Sequence, residues 1–223
     1  MTDSWYKRWM SAYERASFYK SEKNKASYWD DVADSKSDGL SGTTHIEMLE
    51  DYLINNNYLD EESTILDVGC GLGDYAIRFA GKCSQMVAMD YSAGMIAECK
   101  KRCEEGKVSN ITFLQEDIEK YDCDSIYEGV FACLNPATYS PKIFSKLLRM
   151  AGRFIVYFSM DTPIEDINEP IYQGTNSVRY PEEYLKERGI NYTKLAYDHV
   201  LKQANGADIH IPFAYLVIDI GVS

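Results

Sequence analysis

Thr64-Ile65-Leu66-Asp67-Val68-Gly69-Cys70-Gly71-Leu72-Gly73-Asp74, running on to Ala80, passes directly from a strand pattern through a glycine turn into a helix pattern. The apolar β-branched run Ile65–Val68 reads as a buried strand. Gly69, Gly71 and Gly73 follow at alternate positions. Tyr75, Ala76, Phe79 and Ala80 then fall on one side of a helix. Strand, turn and helix form the nucleotide-binding half of a βαβ unit. Glycine permits positive φ and leaves bare backbone for a ligand to approach. The helix N-terminus adds free N–H groups and partial positive charge.

The spacing is G-x-G-x-G, whereas a dinucleotide fingerprint reads G-x-G-x-x-G with pyrophosphate at the helix start. Asp74 at that start repels a pyrophosphate, and a ligand with a cationic amino-acid end suits the turn better. Asp67-Val-Gly-Cys-Gly-Leu-Gly-Asp74 resembles the first motif of the Rossmann-like (class I) S-adenosylmethionine-dependent methyltransferases, of the small-molecule type. The resemblance covers most of residues 28–220. It implies S-adenosyl-L-methionine as cofactor, leaving as S-adenosyl-L-homocysteine, with Asp67, Gly69, Cys70, Gly71 and Gly73 among its binding residues. It also implies an α/β, doubly wound sheet of seven strands in the order 3-2-1-4-5-7-6, with an antiparallel last strand and helices on both faces.

Elsewhere the chain fits that frame. Met86-Val-Ala-Met89 reads as the second strand and ends in Asp90, about 20 residues after the first glycine. At that offset an acidic side chain meets ribose hydroxyls. Asp90-Tyr91-Ser-Ala-Gly-Met95 resembles the family's D-x-S-x-x-M pattern, which places Tyr91 and Met95 beside adenine; the alternative for Met95 is ordinary helix core. Ile111–Leu114 is the third strand. Gln115-Glu-Asp117-Ile118 after it resembles the adenine motif, with the Asp117 carboxylate on the exocyclic amine and the Ile118 N–H on a ring nitrogen. The fourth strand lies within Tyr127–Leu134. It leads into Asn135-Pro136-Ala137-Thr138-Tyr139, at the carboxyl edge where an acceptor binds, so Asn135 and Tyr139 are candidate substrate residues. Their spacing departs from the N-P-P-Y motif of amino-group nucleic-acid methyltransferases.

A helix from Pro141 to about Gly152 and a strand over Phe154–Phe158 come next. Asp161–Val178 reads as a loop that helps to form a substrate pocket. A short helix over Pro181–Gly189 precedes two strands, Asn191–Leu201 and Ile209–Ile220, joined around Asn205-Gly206. Before the glycine motif, Thr44-x-x-Glu47 matches a capping box and opens a helix with the stripe Ile46, Leu49, Leu53, Ile54.

Residues 1–40 are rich in aromatics and charge. Trp5, Trp9, Tyr13 and Ala16 share a helical face, and a second helix is expected near Ala26–Ala33. Tyr28-Trp29-Asp-Asp-Val-Ala33 resembles a W-D-x-x-A stretch that covers the active site in small-molecule methyltransferases. The expected division is therefore one domain, 1–223, with 1–40 a mobile aromatic cover hinged at 37–42 and 41–223 the core. Trp29 is expected on the acceptor. The alternative is a helix packed on the sheet edge.

The 23 basic and 35 acidic residues leave a net charge of −12, which disfavours a nucleic-acid partner. No apolar run reaches the length of a membrane helix, and the N-terminus lacks a signal-peptide core. The six cysteines form no C-x-x-C pair and no histidine stands at zinc spacing, so no metal is expected and a reducing cytoplasm fits. The expected activity is methyl transfer to a small molecule by in-line displacement, in a monomer or homodimer. Of His45, His199 and His210, only His45 stands beside a cofactor-facing element. It is the candidate base, or else a helix-start residue. Another transferase chemistry on the same fold, or a cofactor-binding regulator, are the rival readings.

Overall fold

The computed structural model describes residues 4–15, 25–35, 43–122, 126–162, 177–202 and 208–221. The glycine stretch folds as read: β1 (Thr64–Val68), a turn, and α4 (Asp74–Ala80). Before them come α1 (Ser4–Arg15), α2 (Ala26–Ser35) and α3 (Thr44–Asn55). After them come β2 (Gln85–Asp90), α5 (Ala93–Gly106), β3 (Ile111–Gln115), β4 (Tyr127–Cys133), α6 (Pro141–Met150), β5 (Ala151–Met160), α7 (Arg179–Arg188), β6 (Tyr192–Lys202) and β7 (Asp208–Asp219).

The seven strands form one sheet in the order β3-β2-β1-β4-β5-β7-β6. β1 to β5 run parallel, and β7 is antiparallel to both β5 and β6. The period-2 alternation of side chains splits the core into two layers. Leu66, Val130, Ile155 and Tyr157 face one side, under α1, α6 and α7. Ile65, Phe131, Phe154 and Phe158 face the other, under α3, α4 and α5. Both faces are covered, which is why the parallel strands read as continuous apolar runs.

Several boundaries differ from the sequence reading. Thr43, not Thr44, precedes the first turn of α3. That puts Glu47 one place too far along for a capping box, and the Thr43 hydroxyl instead donates to the Glu47 carboxylate at 3.0 Å. α7 starts two residues before Pro181, which fits the first turn because its missing N–H would be unpaired there. β5 begins directly after α6, with no intervening loop. The expected hinge at 37–42, nearly all of the Asp161–Val178 loop, and the Asn205-Gly206 turn lie outside the described residues.

The aromatic cover is corrected in part. Trp9 is 0 % exposed. Its ring lies 5.3 Å from Phe144, 6.3 Å from Tyr180 and 6.1 Å from Tyr184. α1 is thus a core helix laid on α6 and α7, because the Trp9–Ala12 stripe buries more apolar surface there than over a wet cleft. Only α2 stands beside the cavity described next. Among the described residues no helix is long and apolar enough to cross a membrane.

Candidate active site

The site is built at the carboxyl ends of β1, β2, β3 and β4. Gly69 and Gly71 take the left-handed conformation, at φ 71° and 52°. The backbone turns back sharply there, and both Gly69 and Cys70 donate their N–H to the Met89 carbonyl, at 2.7 and 2.9 Å. Asp90 then braces two turns at once. One carboxylate oxygen accepts from Gly71 N–H at 3.1 Å and the other from Ser92 N–H at 2.9 Å. The end of β4 bends through Leu134, at φ 51°, and Asn135 ties it to β1 by donating its side-chain amide to the Val68 carbonyl at 2.8 Å.

These strand ends enclose a cavity lined by Asp67, Gly69, Cys70, Gly71, Asp90, Tyr91, Met95, Asp117 and Ile118, with Trp29, His45 and Asn135 also on its wall. Asp74, Tyr75, Glu116, Glu119 and Cys133 line it too. These five were not assigned to the site from the sequence. Tyr75 was legible only as part of an apolar helix face, and Cys133 as a strand residue. The lining carries six carboxylates, from Asp67, Asp74, Asp90, Glu116, Asp117 and Glu119, and no lysine or arginine among the described residues.

Two expected site residues lie elsewhere. Gly73 does not line the cavity; its φ is 91°, and a Cβ there would stand 2.5 Å from Cys99 Sγ. It is glycine so that α4 and α5 can approach. Tyr139 is 5 % exposed and lies inside the core under α6. Burial pushes its phenol up to about 12 while its hydroxyl bonds Ser159, so it is a packing residue and not a substrate contact. Asn135 lines the wall, but its amide holds backbone at both ends: Nδ2 on Val68 and Oδ1 accepting from Ala137 N–H at 3.0 Å. Trp29 lines the cavity on its β2 side and hydrogen-bonds the Tyr91 hydroxyl.

His45 is 3 % exposed. Its ring stacks on Phe158 at 5.5 Å and meets Tyr197 at 5.4 Å. Burial holds its pKa below the usual histidine value, Asp74 opposes that shift, and His199 adds to it. The imidazole is therefore neutral at pH 7, and Nδ1 is buried with no hydrogen-bond partner among the described residues. Beside it Tyr75 and Tyr215 share a hydroxyl–hydroxyl bond of 2.7 Å, and burial raises the Tyr75 phenol and the Cys133 thiol well above their usual values. A bond to Cys99, together with burial, does the same for the Cys70 thiol. Among the described residues no cluster of three or more His, Cys, Asp or Glu side chains is arranged to hold a metal ion.

Residues 65–155 match the methyltransferase domain family. The whole sheet superposes on magnesium protoporphyrin IX methyltransferase (ChlM) from Synechocystis PCC 6803 with bound S-adenosylmethionine: TM-score 0.59, 14% identity, 97% of each chain. Residues 65–155 thus carry the methyltransferase-domain match, and the fold is that of the class I S-adenosylmethionine-dependent methyltransferases. Among curated proteins, the chain is similar to methyltransferase phqN of Penicillium fellutanum, at 25% identity over 76% of this chain and 52% of phqN. It also matches the tRNA/tmRNA (uracil-C(5))-methyltransferase of Campylobacter curvus, at 33% identity over 63% of this chain and 39% of that enzyme. The chain thus spans about half the length of these curated relatives, or less.

The donor set suits the family's cofactor. A carboxylate at the end of β2 can accept from two ribose hydroxyls, an aromatic and thioether pair flanks space for a flat ring, and the acidic lining matches a sulfonium and an ammonium.

Proposed function

We propose that the chain transfers a methyl group from S-adenosylmethionine to a small-molecule acceptor. The observation that carries this reading is one cavity in which the left-handed Gly69–Gly71 turn, the Asp90 carboxylate and an acidic lining meet at the carboxyl edge of the sheet. Asp90 receives the ribose hydroxyls. Asp117 and the Ile118 N–H read adenine, with Tyr91 and Met95 on the ring. The Gly69–Gly71 backbone and Asp67 take the amino-acid end. The donor, when bound, supplies a methyl group already activated on a sulfonium.

The chain's own task is alignment and exclusion of water. The acceptor approaches past the end of β4, between Cys133–Ala137 and the His45–Tyr75 wall. His45, neutral and buried, takes a proton from an acceptor that must lose one. The wall of His45 and Tyr75, with Phe158 stacked behind the imidazole, suits a small acceptor, and the structural neighbour magnesium protoporphyrin IX methyltransferase is named for a small-molecule substrate. One domain acting in a reducing cytoplasm, as monomer or homodimer, completes the reading; the five described cysteines all carry free thiols, which supports the compartment.

The uracil-methylating relative raises RNA as a second acceptor class. The test offers methyl-labelled donor with amines, phenols and carboxylic acids in one arm and tRNA and rRNA in the other. Release of S-adenosylhomocysteine with label in a small molecule is expected. Label in RNA alone overturns the acceptor class. Donor binding without turnover on any acceptor favours a non-catalytic regulator.

A further inference from the structure

One carboxylate of α2 is hydrogen-bonded to the start of α5. Asp30 Oδ1 accepts from the Ser92 hydroxyl at 2.6 Å and from the Gly94 backbone N–H at 2.9 Å. Both donors lie in the first turn of α5, so Asp30 caps that helix from another element, where a negative charge is favoured. Ser92 is already the α5 N-cap, accepting from Met95 N–H at 3.0 Å. Its own N–H donates to Asp90 Oδ1 at 2.9 Å. A continuous path of hydrogen bonds therefore runs from the Gly71 backbone through Asp90 and Ser92 to Asp30.

The approach is close. A Cβ on Gly94 would stand 3.0 Å from the Asp30 Cα and 3.1 Å from its Oδ1, so a side chain there requires Asp30 and α2 to give by a few tenths of an ångström. Ala33 of α2 packs with Leu72 and Met95, and Trp29 and Val32 lie against the same cluster. Trp29, next to Asp30, reaches the cavity wall and hydrogen-bonds Tyr91. Tyr91 follows β2, while Cys133 and His45 stand at the β4 side. Two strand spacings, about 10 Å, separate those sides, so Trp29 covers the β2 side of the cavity.

We propose that Asp30 is a positioning residue that latches α2 across the start of α5, making Trp29 a clamp on the adenosine end of the donor site and not a cover for the acceptor. This rests on the donor reading above. It explains why Ser92 has both a capping and a donating role, and why glycine stands at position 94.

The test is calorimetry with S-adenosylhomocysteine and with adenosine, on wild type, Asp30→Ala, Asp30→Asn and Gly94→Ala. Asp30→Ala is expected to weaken both ligands by the same factor, about tenfold or more, as for a lost charge-assisted pair of hydrogen bonds. Asp30→Asn, whose amide oxygen still accepts from Ser92 and Gly94, is expected to stay within about threefold of wild type. Gly94→Ala keeps the carboxylate but crowds it, and is expected to weaken both ligands in the same direction as Asp30→Ala and by a smaller factor, so the latch stays testable if one variant fails to fold. Acceptor KM at saturating donor should not change. The ligand-induced change in tryptophan fluorescence should vanish in Trp29→Phe and shrink in Asp30→Ala. Equal affinity in wild type, Asp30→Ala and Gly94→Ala, or a loss for S-adenosylhomocysteine without one for adenosine, overturns the latch while leaving the donor reading intact. A wild type that binds neither ligand overturns the donor reading and the latch with it.

Discussion

Gly73 and His45 show how a residue's role follows from its neighbours more than from its motif. Gly73 belongs to the glycine signature, yet what demands glycine there is Cys99, 2.5 Å from where a Cβ would be, together with φ 91°. Gly73→Ala should therefore destabilise the fold by about 2–4 kcal/mol, summing left-handed strain and overpacking. Cys99→Ala should recover the steric part, so that the double variant is less destabilised than the two single changes added together. Denaturant titration of the four proteins checks this, and strict additivity would show that the two residues do not meet. His45 is a pH matter. Its folded pKa is depressed by burial, so below pH about 6.5 the unfolded chain binds a proton that the folded ring refuses. Stability is thus present above the unfolded pKa and falls as the pH drops from that value toward the folded one. His210, raised by its bond to Asp198, acts in the opposite sense, and the measurement must be differential. Relative to His45→Phe, the wild type should lose thermal stability between pH 7.5 and 5.5. Parallel curves would mean that the ring titrates alike in both states.

At the level of elements, β1 to β5 and the helices between them were legible because one period governs each: apolar runs for buried parallel strands and a 3.6-residue stripe for helices. The Gly69–Gly71 turn and Asp90 were legible because their chemistry is local, a bare backbone and a carboxylate at a fixed offset. α1 was not placed correctly, since an aromatic stripe reads the same whether it faces a ligand or a neighbouring helix. Its partners Phe144, Tyr180 and Tyr184 are far away in the chain. Tyr139 failed for the same reason, with Ser159 and the core under α6 as its surroundings. Asp30 was visible in the Trp-Asp stretch, but nothing local told that its partners are Ser92 and Gly94. The consequence for α1 is measurable. Trp9→Ala should cost about 3–5 kcal/mol, the range for emptying a large buried aromatic site, and removing residues 1–15 should lower the melting temperature along with activity. A truncated protein as stable as the intact one would place α1 outside the core after all.

Over the whole molecule, charge sets which acceptors can approach. The net charge is −12, and many of the basic side chains are held by carboxylates: Arg78 and Lys82 by Glu50, Arg102 by Asp74 and Glu98, Arg153 by Asp60, Lys186 and Lys194 by Glu182. Besides Asp74, five more carboxylates line the cavity. A phosphate backbone gains affinity by exchanging its counterions for lysine and arginine, and such paired cations offer little of that exchange. Binding of tRNA or an rRNA stem-loop at about 0.15 M salt should therefore be weaker than the usual non-specific range of about 10⁻⁴–10⁻⁶ M. Fluorescence anisotropy across a salt series measures it directly. Sub-micromolar affinity with a steep loss on adding salt would reveal a basic surface built outside the described residues and would move the acceptor class to RNA. A flat, weak response, with the same preparation methylating a small molecule, is the outcome that the acidic cavity and the paired surface cations lead us to expect.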